Sequence, residues 1–509
     1  MKKRYLSWAV LLASATLAGG AGAQGMQSHN ETATMLRAAS AAGDFKASIV
    51  QLDARFPSPE EKQELLYNME RGELLRMDRQ YEPSTSTLLL ADKKVMEWEE
   101  AAKLDPQRLM GMLGASLIGE RLKSYEGQDY EKVWLTTRIA LNRIGQSNFE
   151  QARVDVKRTH EREAVIAEFR AKETAAAEEE AKAKGAQTTS TELNGYPVES
   201  LNDPEVLALK NGYQNALSHY LAGFLYESLN ESGLAAPGYR KAIELRPGSA
   251  VLEEGLRGLD ARSTITWKRR QRQTDVLFLV ETGVSPARVP KGFTIPIPVR
   301  SGFRTVSISY PVIEPSAAPA VTTLKVGDQD LALSNVVDLN VMARRALKDE
   351  MPGMVLRGMT RAIAKGVLQD ELSKSAGIFG SIIGSVMSAA TEQADDRMWR
   401  MLPERVFVAR AHLPPGEHKV SVDGRDFGTV KIDGQYAVVP LRAYETVALV
   451  GEVGILGKLP EQELPVANAE PEKSLSKAEA AAKSNAVSAA AKKTTQASAR
   501  KPEARTTKN

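Results

Sequence analysis

The stretch that decides the fold is residues 211–260, NGYQNALSHYLAGFLYESLNESGLAAPGYRKAIELRPGSAVLEEGLRGLD. The positions that carry its pattern are Gly223, Tyr226, Ala235, Tyr239, Ala242 and Pro247. The glycine lets a partner helix approach closely, and the tyrosine one turn later fills the remaining gap. The next three positions fall at i, i+4 and i+7 and share one helix face, and the proline ends the run. The stretch therefore predicts two helices that pack against each other across a turn.

This spacing is typical of a tetratricopeptide repeat, a helix–turn–helix unit of about 34 residues. Upstream, Ser48 and Ser84 occupy equivalent positions on predicted second helices and lie 36 residues apart. Ala152 follows Ser84 by 68 residues, although a strict register between them would place Pro106 inside a helix. The pattern therefore predicts an irregular array of helix pairs. A general helical bundle that shares the period by chance is the alternative.

After residue 273 the hydrophobic period changes from about 3.6 residues to about 2, which is typical of strands. Short β-rich runs occur at residues 276–280, 293–299, 306–310, 405–413, 418–422, 429–432, 436–439 and 446–450. The Asp-Gly dipeptides at residues 423–424 and 433–434 are of the kind that forms hairpin turns. This spacing of strands predicts an antiparallel β-sandwich, interrupted by a helical insertion at residues 339–394.

The predicted fold class is α+β: an N-terminal α-solenoid of tetratricopeptide-like helix pairs followed by an antiparallel β-sandwich domain with a helical insertion. The predicted segments are a signal peptide at 1–23, the helical domain at 24–273 with a charged insertion near 161–204, the β-rich domain at 274–460, and a disordered basic Ala/Lys tail at 461–509. A chain of 509 residues is long enough for two or three such domains. The charged insertion is predicted to be a solvated helix extension followed by a loop.

The N-terminus has the pattern of a secretory signal peptide. Basic residues 2–4 precede an apolar run at 6–17, and Ala21 and Ala23 are small residues at the −3 and −1 positions of a cleavage site. We expect cleavage near Ala23 and a periplasmic or secreted protein. An uncleaved anchor is the alternative, but the run is too short to span a bilayer comfortably. No later segment reaches the length of a membrane helix, so no transmembrane span is expected.

The formal net charge of +3 is unevenly distributed along the chain. Residues 466–509 carry nine basic and four acidic residues, so the tail is about +5 and the body before it is mildly acidic. The tail has too little apolar surface to fold, and its charge can attract anionic polymers in a salt-dependent way. Because the chain is expected to be exported, an anionic cell-wall polymer is the expected class and nucleic acid is not. A purely solvating tail is the alternative.

Sequence motifs give no indication of catalysis. The chain has no cysteine, no nucleophile elbow, no phosphate-binding loop and no zinc-helix motif. Its five histidines are scattered, and His412 and His418 could face each other across the turn at 414–416. Two histidines would supply at most two ligands, whereas a structural zinc needs about four. We therefore expect no enzyme, no cofactor and no metal site.

A helical array offers a binding surface instead. The concave positions, counted along the first helices, are Trp134, Thr137, Tyr220, Phe224 and Glu227. Aromatic side chains there could anchor a segment of a partner protein. The alternative is that these side chains form core between adjacent helix pairs, since aromatic residues are often buried.

Several short runs resemble one bacterial family. They are YEKV at 130–133, AG at 222–223, AIEL at 242–245, PPGEH at 414–418 and, most specifically, TEQADDR at 391–397. The family consists of exported tetratricopeptide-like proteins of unknown function, often lipoproteins, and the resemblance covers most of residues 35–450. It implies no catalytic residues. This chain departs from the family because it lacks the cysteine needed for lipid attachment.

The sequence thus predicts a non-enzymatic exported scaffold or adaptor. It would bind another envelope protein through its helical repeats, within a cell-surface or secretion assembly. The alternative is a regulator or organiser of peptidoglycan or surface-polymer synthesis whose basic tail contacts the polymer. A hydrolase with an unrecognised site is a third hypothesis.

Overall fold

The computed structural model describes residues 28–58, 64–106, 124–183, 199–299, 302–316, 318, 320–351, 353–354 and 394–460. The predicted signal peptide, most of the helical insertion and the basic tail lie outside these residues. The described chain combines helices with sheets, which confirms the α+β class. None of the helices in these ranges is both long enough and apolar enough to cross a membrane.

The helices precede the main strands. In chain order they are α1 (His29–Ala41), α2 (Phe45–Arg55), α3 (Leu65–Met77), α4 (Tyr81–Leu104), α5 (Asp129–Gly145), α6 (Phe149–Ala183), α7 (Pro204–Ala208), α8 (Ala216–Ser228), α9 (Ser232–Leu245), α10 (Ala250–Arg257), α11 (Leu259–Arg262) and α12 (Ile265–Arg270). The pairs α1–α2, α3–α4, α5–α6 and α8–α9 each pack as a hairpin, and each pair contacts the next. Within the described residues the helices thus form four pairs.

Each pair has the same turn. Three residues join its two helices, and the middle residue has a positive φ: Gly43 (81°), Arg79 (61°), Ser147 (58°) and Asn230 (66°). The left-handed conformation costs a non-glycine residue about 1–2 kcal/mol, so the turn residue does not select it in three of the four pairs. We infer that the packing of the two helices imposes the turn.

Close approach of the two helices also repeats between pairs. A side chain at Gly223 would meet the ring of Tyr239 at 2.6 Å, and Gly72 lies in the same way against Leu88. In both pairs the glycine and its contact are sixteen residues apart. The predicted role of Gly223 is therefore confirmed.

The serines predicted on second helices also make equivalent contacts. Ser48 Oγ donates to the carbonyl oxygen of Leu36 at 3.0 Å, and Ser84 Oγ donates to that of Gly72 at 2.7 Å. Each bond spans twelve residues. A small polar side chain at this position thus ties the second helix to the first.

The sixth helix corrects one prediction. Arg162, Ile166 and Phe169 are 2%, 0% and 1% exposed, although the sequence predicts a solvated extension from residue 161. Their burial results from contact of α6 with α4 and α5. Residues 171 and 172 are exposed, and residues 184–198 lie outside the described chain. In the predicted helical insertion, residues 339–351 and 353–354 are helical, and the rest of the insertion up to 393 is not described.

The strands form a main sheet, a second sheet and a separate hairpin. In chain order they are β1 (Thr274–Thr282), β2 (Val289–Val299), β3 (Gly302–Val312), β4 (Thr323–Val326), β5 (Gln329–Ala332), β6 (Ser334–Asp338), β7 (Arg405–Leu413), β8 (Gly416–Val422), β9 (Arg425–Ile432), β10 (Tyr436–Tyr444), β11 (Val447–Val450) and β12 (Gly454–Leu456). The main sheet has the order β11–β10–β1–β7–β6, with β12 also paired to β10. The second sheet has the order β5–β4–β8–β9, and β2 pairs with β3.

One pairing differs from the predicted antiparallel arrangement. β1 and β10 pair in parallel, whereas the other described pairings are antiparallel. Asp423 and Gly424 form the predicted tight hairpin between β8 and β9, with φ of 44° and 83°. After Asp433 and Gly434, however, the chain passes from the second sheet to the main sheet. β10 therefore lies beside β1 in the same direction instead of pairing back on β9.

The main sheet is covered on both faces. Alternate side chains of β1, such as Val276 and Phe278, join a core with β4, β8 and β9 of the second sheet. The intervening side chains, such as Leu277 and Leu279, join a core with the helices. β1 is consequently buried along almost its whole length.

Candidate functional site

The five residues predicted to form a concave binding surface lie inside the protein. Their exposed fractions are 0% for Trp134, 1% for Thr137, 0% for Tyr220, 0% for Phe224 and 1% for Glu227. They belong to α5 and α8, the first helices of two pairs. The prediction that they face a partner in solution is thus corrected, because other parts of the same chain cover them.

The main sheet provides much of this cover. The ring of Phe224 meets that of Tyr436 on β10 edge to face, with centroids 5.9 Å apart. The guanidinium of Arg410 on β7 lies 4.9 Å from the centroid of the Phe224 ring. The side of the array that the sequence suggests for a partner is thus filled by the sheet. We call this contact the helix–sheet interface and take it as the candidate site.

A network of buried charges joins α8 to the sheet, and we call it the Glu227 cluster. Glu227 accepts hydrogen bonds from Tyr239 Oη at 2.6 Å, Arg262 Nε at 2.5 Å and Arg410 Nη2 at 3.0 Å. Arg410 also donates to both carboxylate oxygens of Asp275 on β1, at 2.8 and 2.6 Å. Burial alone would raise the pKa of both acids, but the nearby cations, Arg410 first and Arg262 with it, together hold each pKa below its usual value.

A second network, the Glu281 cluster, joins α3 and α5 to the other end of β1. It consists of Glu73, Arg76, Arg138, Glu281 and Arg442. Arg138 donates to both oxygens of Glu281, and its Nε lies 3.1 Å from Glu73 Oε2. Arg442 stands opposite Glu281 on the neighbouring strand. Burial would raise the pKa of Glu281, but Arg138 and Arg76 lower it to about 2.

Two further buried acids hold the segment that leads into β7. Glu131 Oε1 accepts the backbone N–H of Trp399 at 2.6 Å, and Glu70 accepts those of Arg400 at 2.7 Å and Met401 at 3.0 Å. Three successive amides are thus bound by carboxylates from two different helices. Burial raises the pKa of Glu131 to about 7, although the hydrogen bonds that Glu131 accepts from Tyr125, Trp399 and Gln128 oppose it.

The run that carries the family resemblance lies at this same junction. Asp396 accepts a hydrogen bond from Ser28 Oγ at 2.8 Å, and Arg397 Nε donates to Asp395 at 2.8 Å. Residues 391–393 of that run lie outside the described chain. The described part of the motif thus contacts the first helix and leads into the sheet.

Two histidines that look scattered in the sequence are brought together. The rings of His160 on α6 and His219 on α8 stack with centroids 4.6 Å apart and planes 10° apart. His219 Nε2 lies 3.0 Å from Glu163 Oε2, which also accepts from Gln214 Nε2 at 2.9 Å. Burial lowers the pKa of His160 to about 4, with a smaller contribution from His219. Local spacing could not reveal this pair, because it depends on the contact between two helix pairs.

His412 and His418, which could have faced each other across the turn at 414–416, do not form a pair. Their strands, β7 and β8, belong to different sheets, so the turn between them separates the two side chains. His412 lies against Trp267, and His418 is bonded to the carbonyl oxygen of Pro414 at 2.9 Å. Within the described ranges, no group of three or more His, Cys, Asp or Glu residues is arranged to hold a metal ion.

A cavity of about 110 Å³ lies between the loop before α8, the end of α9 and β6. Its lining combines apolar residues such as Val337 and Met342 with polar residues such as Asn211 and Asp338. Asn211 Oδ1 already accepts from two backbone amides, and Asp338 is bonded to Arg405. These polar groups are used to hold the fold, so the cavity does not present a ready set of ligand-binding groups.

Comparison of the chain with protein-family models, with curated proteins and with solved structures gives no match. The candidate site is therefore defined by its geometry.

Proposed function

We propose that this protein is a non-enzymatic exported scaffold or adaptor whose helical array binds its own sheets on one side and a partner protein on the other. In this proposal the four helix pairs form a tetratricopeptide-like solenoid and the two sheets form a β-sandwich. The observation that supports it is the occupation of the inner face. The predicted anchors on α5 and α8 are at most 1% exposed, so that face is already bound.

The outer helices offer the remaining surface. Each second helix exposes a large apolar side chain: Val50 on α2 (67%), Met96 on α4 (42%), Val154 on α6 (48%) and Leu234 on α9 (49%). Single exposed apolar residues are common on protein surfaces. Their occurrence on the second helix of all four pairs favours this side for the partner, which we expect to be an envelope protein.

Capture of partners from native envelope extracts tests this proposal. Purified protein is cross-linked to the extract, and the captured proteins are compared between the wild type, the V50S/V154S variant and the V289S variant. Val289 is 38% exposed but lies on strand β2 and not on a second helix, and it serves as the matched control. We expect V50S/V154S to lose proteins that V289S retains. Equal capture by all three forms would contradict the outer-face assignment.

The exported location is part of the proposal and has its own test. Cleavage after Ala23 leaves Gln24 as the first residue. We expect the N-terminal sequence of the protein isolated from the envelope or medium to begin at or near Gln24. A mature protein that retains residues 1–23 would contradict export by a cleaved signal peptide.

A second candidate function is contact with an anionic surface polymer during its synthesis. The short helix α12 carries two exposed apolar side chains: Ile265 is 71% exposed and Trp267 is 43% exposed. Residues 268–270 and 272 are all basic. The segment therefore adds a second basic region to the basic tail, and both can attract anionic polymers.

Sedimentation with isolated cell wall tests this second function. We expect the protein to bind at low salt, and we expect binding to fall when residues 461–509 are deleted or when Arg269, Arg270 and Arg272 are changed to Gln. Raising the salt concentration should weaken binding, because the attraction is screened. Binding that none of these changes affects would contradict a role for the basic segments.

A further inference from the structure

The Glu281 cluster contains more positive than negative charge. Arg76, Arg138 and Arg442 accompany two carboxylates, Glu73 and Glu281, and all five residues are no more than 7% exposed. Burial raises the pKa of Glu73, which favours its neutral form and increases the imbalance. A buried charge without a counter-charge is strongly unfavourable, so an excess of guanidinium groups calls for an anion.

Some donors in this cluster have no partner within the described residues. They are the Nε and Nη1 atoms of Arg442 and the Nε atom of Arg76. Arg442 Nη2 makes a long contact of 3.5 Å with the carbonyl oxygen of Met401. Glu73 Oε1 and Oε2 also lack a hydrogen bond within the described residues, but Glu73 Oε2 lies 3.1 Å from Arg138 Nε and Glu73 does not line the small cavity beside Arg76 and Arg442. Buried side-chain donors almost always have an acceptor, so the unpaired N–H groups of Arg76 and Arg442 indicate an acceptor inside that cavity.

A small cavity adjoins these two arginines. Its volume is about 20 Å³, and its lining includes Arg76, Arg79, Tyr81, Glu281 and Arg442. This space is enough for one water-sized particle. Arg79 is exposed and stands at the edge of the cavity, so solvent ions have a route to it.

Tyr81 adds a further donor to the lining. Its hydroxyl oxygen accepts the backbone N–H of Glu452 at 2.9 Å, which leaves the hydroxyl proton available for another acceptor. A water molecule could accept these hydrogen bonds, but it would not compensate the excess charge. A monovalent anion of about the same size does both.

We propose that this cavity is a binding site for a small monovalent anion, held by Arg76, Arg442 and Tyr81. Chloride is the probe that matches the size and charge. The lining comes from the turn between α3 and α4 on one side and from β10 and β11 on the other. The anion therefore bridges the helical array and the main sheet, and its binding stabilises the contact between them.

Thermal unfolding of the purified full chain tests this site. The Tm is measured in sodium chloride and in sodium gluconate at matched ionic strength, because gluconate is too large for the cavity. We expect the Tm to rise with chloride and to level off, with a total difference of about 2 °C or more between the two salts. The same Tm in both salts would overturn the proposal.

Two variants test whether the chloride-specific rise in Tm arises at this cavity. Arg442→Met removes the unpaired donors, and we expect the chloride-specific rise in Tm to disappear. Arg400→Met removes another buried arginine, 6% exposed and bonded to Ser285 and Asn30, and should keep the rise. A rise that persists in R442M, or that R400M loses equally, overturns the assignment.

A crystallographic measurement decides the matter even if R442M does not fold. Crystals of the wild-type protein are soaked in bromide, and its anomalous scattering is mapped. We expect a peak in the cavity between the guanidinium groups of Arg76 and Arg442. The absence of a peak there, with peaks elsewhere or none, would overturn the proposal.

Discussion

The two faces of the main sheet are built from the same strands but are held in opposite ways. On β1, Val276, Phe278 and Val280 point to the second sheet, where they pack in an apolar core. The helix-facing side of the same strand carries Asp275 and Glu281, both 1% exposed. Apolar burial holds the first face, whereas the second combines an apolar centre with charges that need specific partners.

The difference between the two faces indicates how the helical array is positioned on the sheet. An apolar contact is non-directional and tolerates changes that keep the volume. A buried ion pair adds little net stability but strongly penalises any arrangement that separates its members. We infer that the charges at the two ends of β1 fix the position of the helices on the sheet, while the apolar cores supply most of the cohesion.

The largest expected effect comes from removing one charge from the helix-facing side. Arg410→Met leaves Glu227 and Asp275 buried without their shared partner, which should cost about 3–5 kcal/mol in the free energy of unfolding. Phe407→Leu changes the opposite face of the same strand and should cost about 1.5 kcal/mol or less. Denaturant unfolding measures both. Similar values for the two variants would remove the proposed difference between the faces.

A pH dependence should appear on the helix-facing side alone. The pKa of Glu131 is about 7 in the folded protein, above its ordinary value of 4.5. Its contribution to stability is therefore fully present below pH 4.5 and is lost as the pH rises through 7. Because each pKa unit corresponds to about 1.4 kcal/mol, the loss should be on the order of 3 kcal/mol.

Glu131→Gln is the variant that isolates this effect. The amide oxygen can still accept the N–H of Trp399, but the side chain no longer ionises. Unfolding measured between pH 4.5 and 8 should therefore fall less steeply with rising pH than in the wild type. Parallel curves for the two proteins would show that Glu131 does not titrate as its burial implies.

An effect of similar size and opposite sign is expected from the histidine pair between α6 and α8. The pKa of His160 is about 4, below its ordinary value of 6.5, so its contribution is present above pH 6.5 and is lost as the pH falls through 4. His160→Phe keeps a ring against His219 and removes the titration. We expect it to retain about 3 kcal/mol of stability that the wild type loses between pH 6.5 and 4. If the free energy of unfolding falls equally in the wild type and in His160→Phe between pH 6.5 and 4, the expectation is contradicted.

The smallest effect comes from the turns between paired helices and gives a baseline for both faces. Arg79 has a φ of 61°, so Arg79→Gly should raise stability by about 1 kcal/mol, whereas Gly43→Ala, at a φ of 81°, should lower it by a similar amount. Thermal unfolding measures both changes. If the two substitutions shift Tm in the same direction, turn conformation is not the controlling factor.

The sequence predicts much of this architecture because helix pairs and strands have local signals. Glycine at 223 and the apolar face around Tyr239 are sufficient to predict a close helix pair. All eight predicted strands coincide with observed ones. The short strands β4, β5, β6 and β12 escape notice because three to five residues carry too little periodicity.

The candidate site escapes prediction for a specific reason. The predicted strand at 276–280 ends where the charges begin, whereas β1 extends to both Asp275 and Glu281. Likewise, the predicted strand at 436–439 stops before Arg442, which lies within β10. A charged residue at the end of an apolar run is predicted to be exposed to solvent. Its burial becomes apparent only when the positions of distant helices are known. Periodicity thus indicates that a face is covered, but it does not indicate what covers it.

The central claim is that the inner face of the helical array is occupied by the rest of the chain. The chain has no cysteine, so a single introduced thiol reports on one position. Thr137→Cys places it on the inner face, where Thr137 is 1% exposed, and Val154→Cys places it on the outer face, where Val154 is 48% exposed.

The rate of thiol modification in native buffer tests that claim most directly. We predict that the thiol at position 154 reacts at once, whereas the thiol at position 137 reacts more slowly by on the order of a thousandfold or more, at a rate set by opening of the fold. Similar rates at the two positions would show that the inner face is open to solvent and would contradict the account.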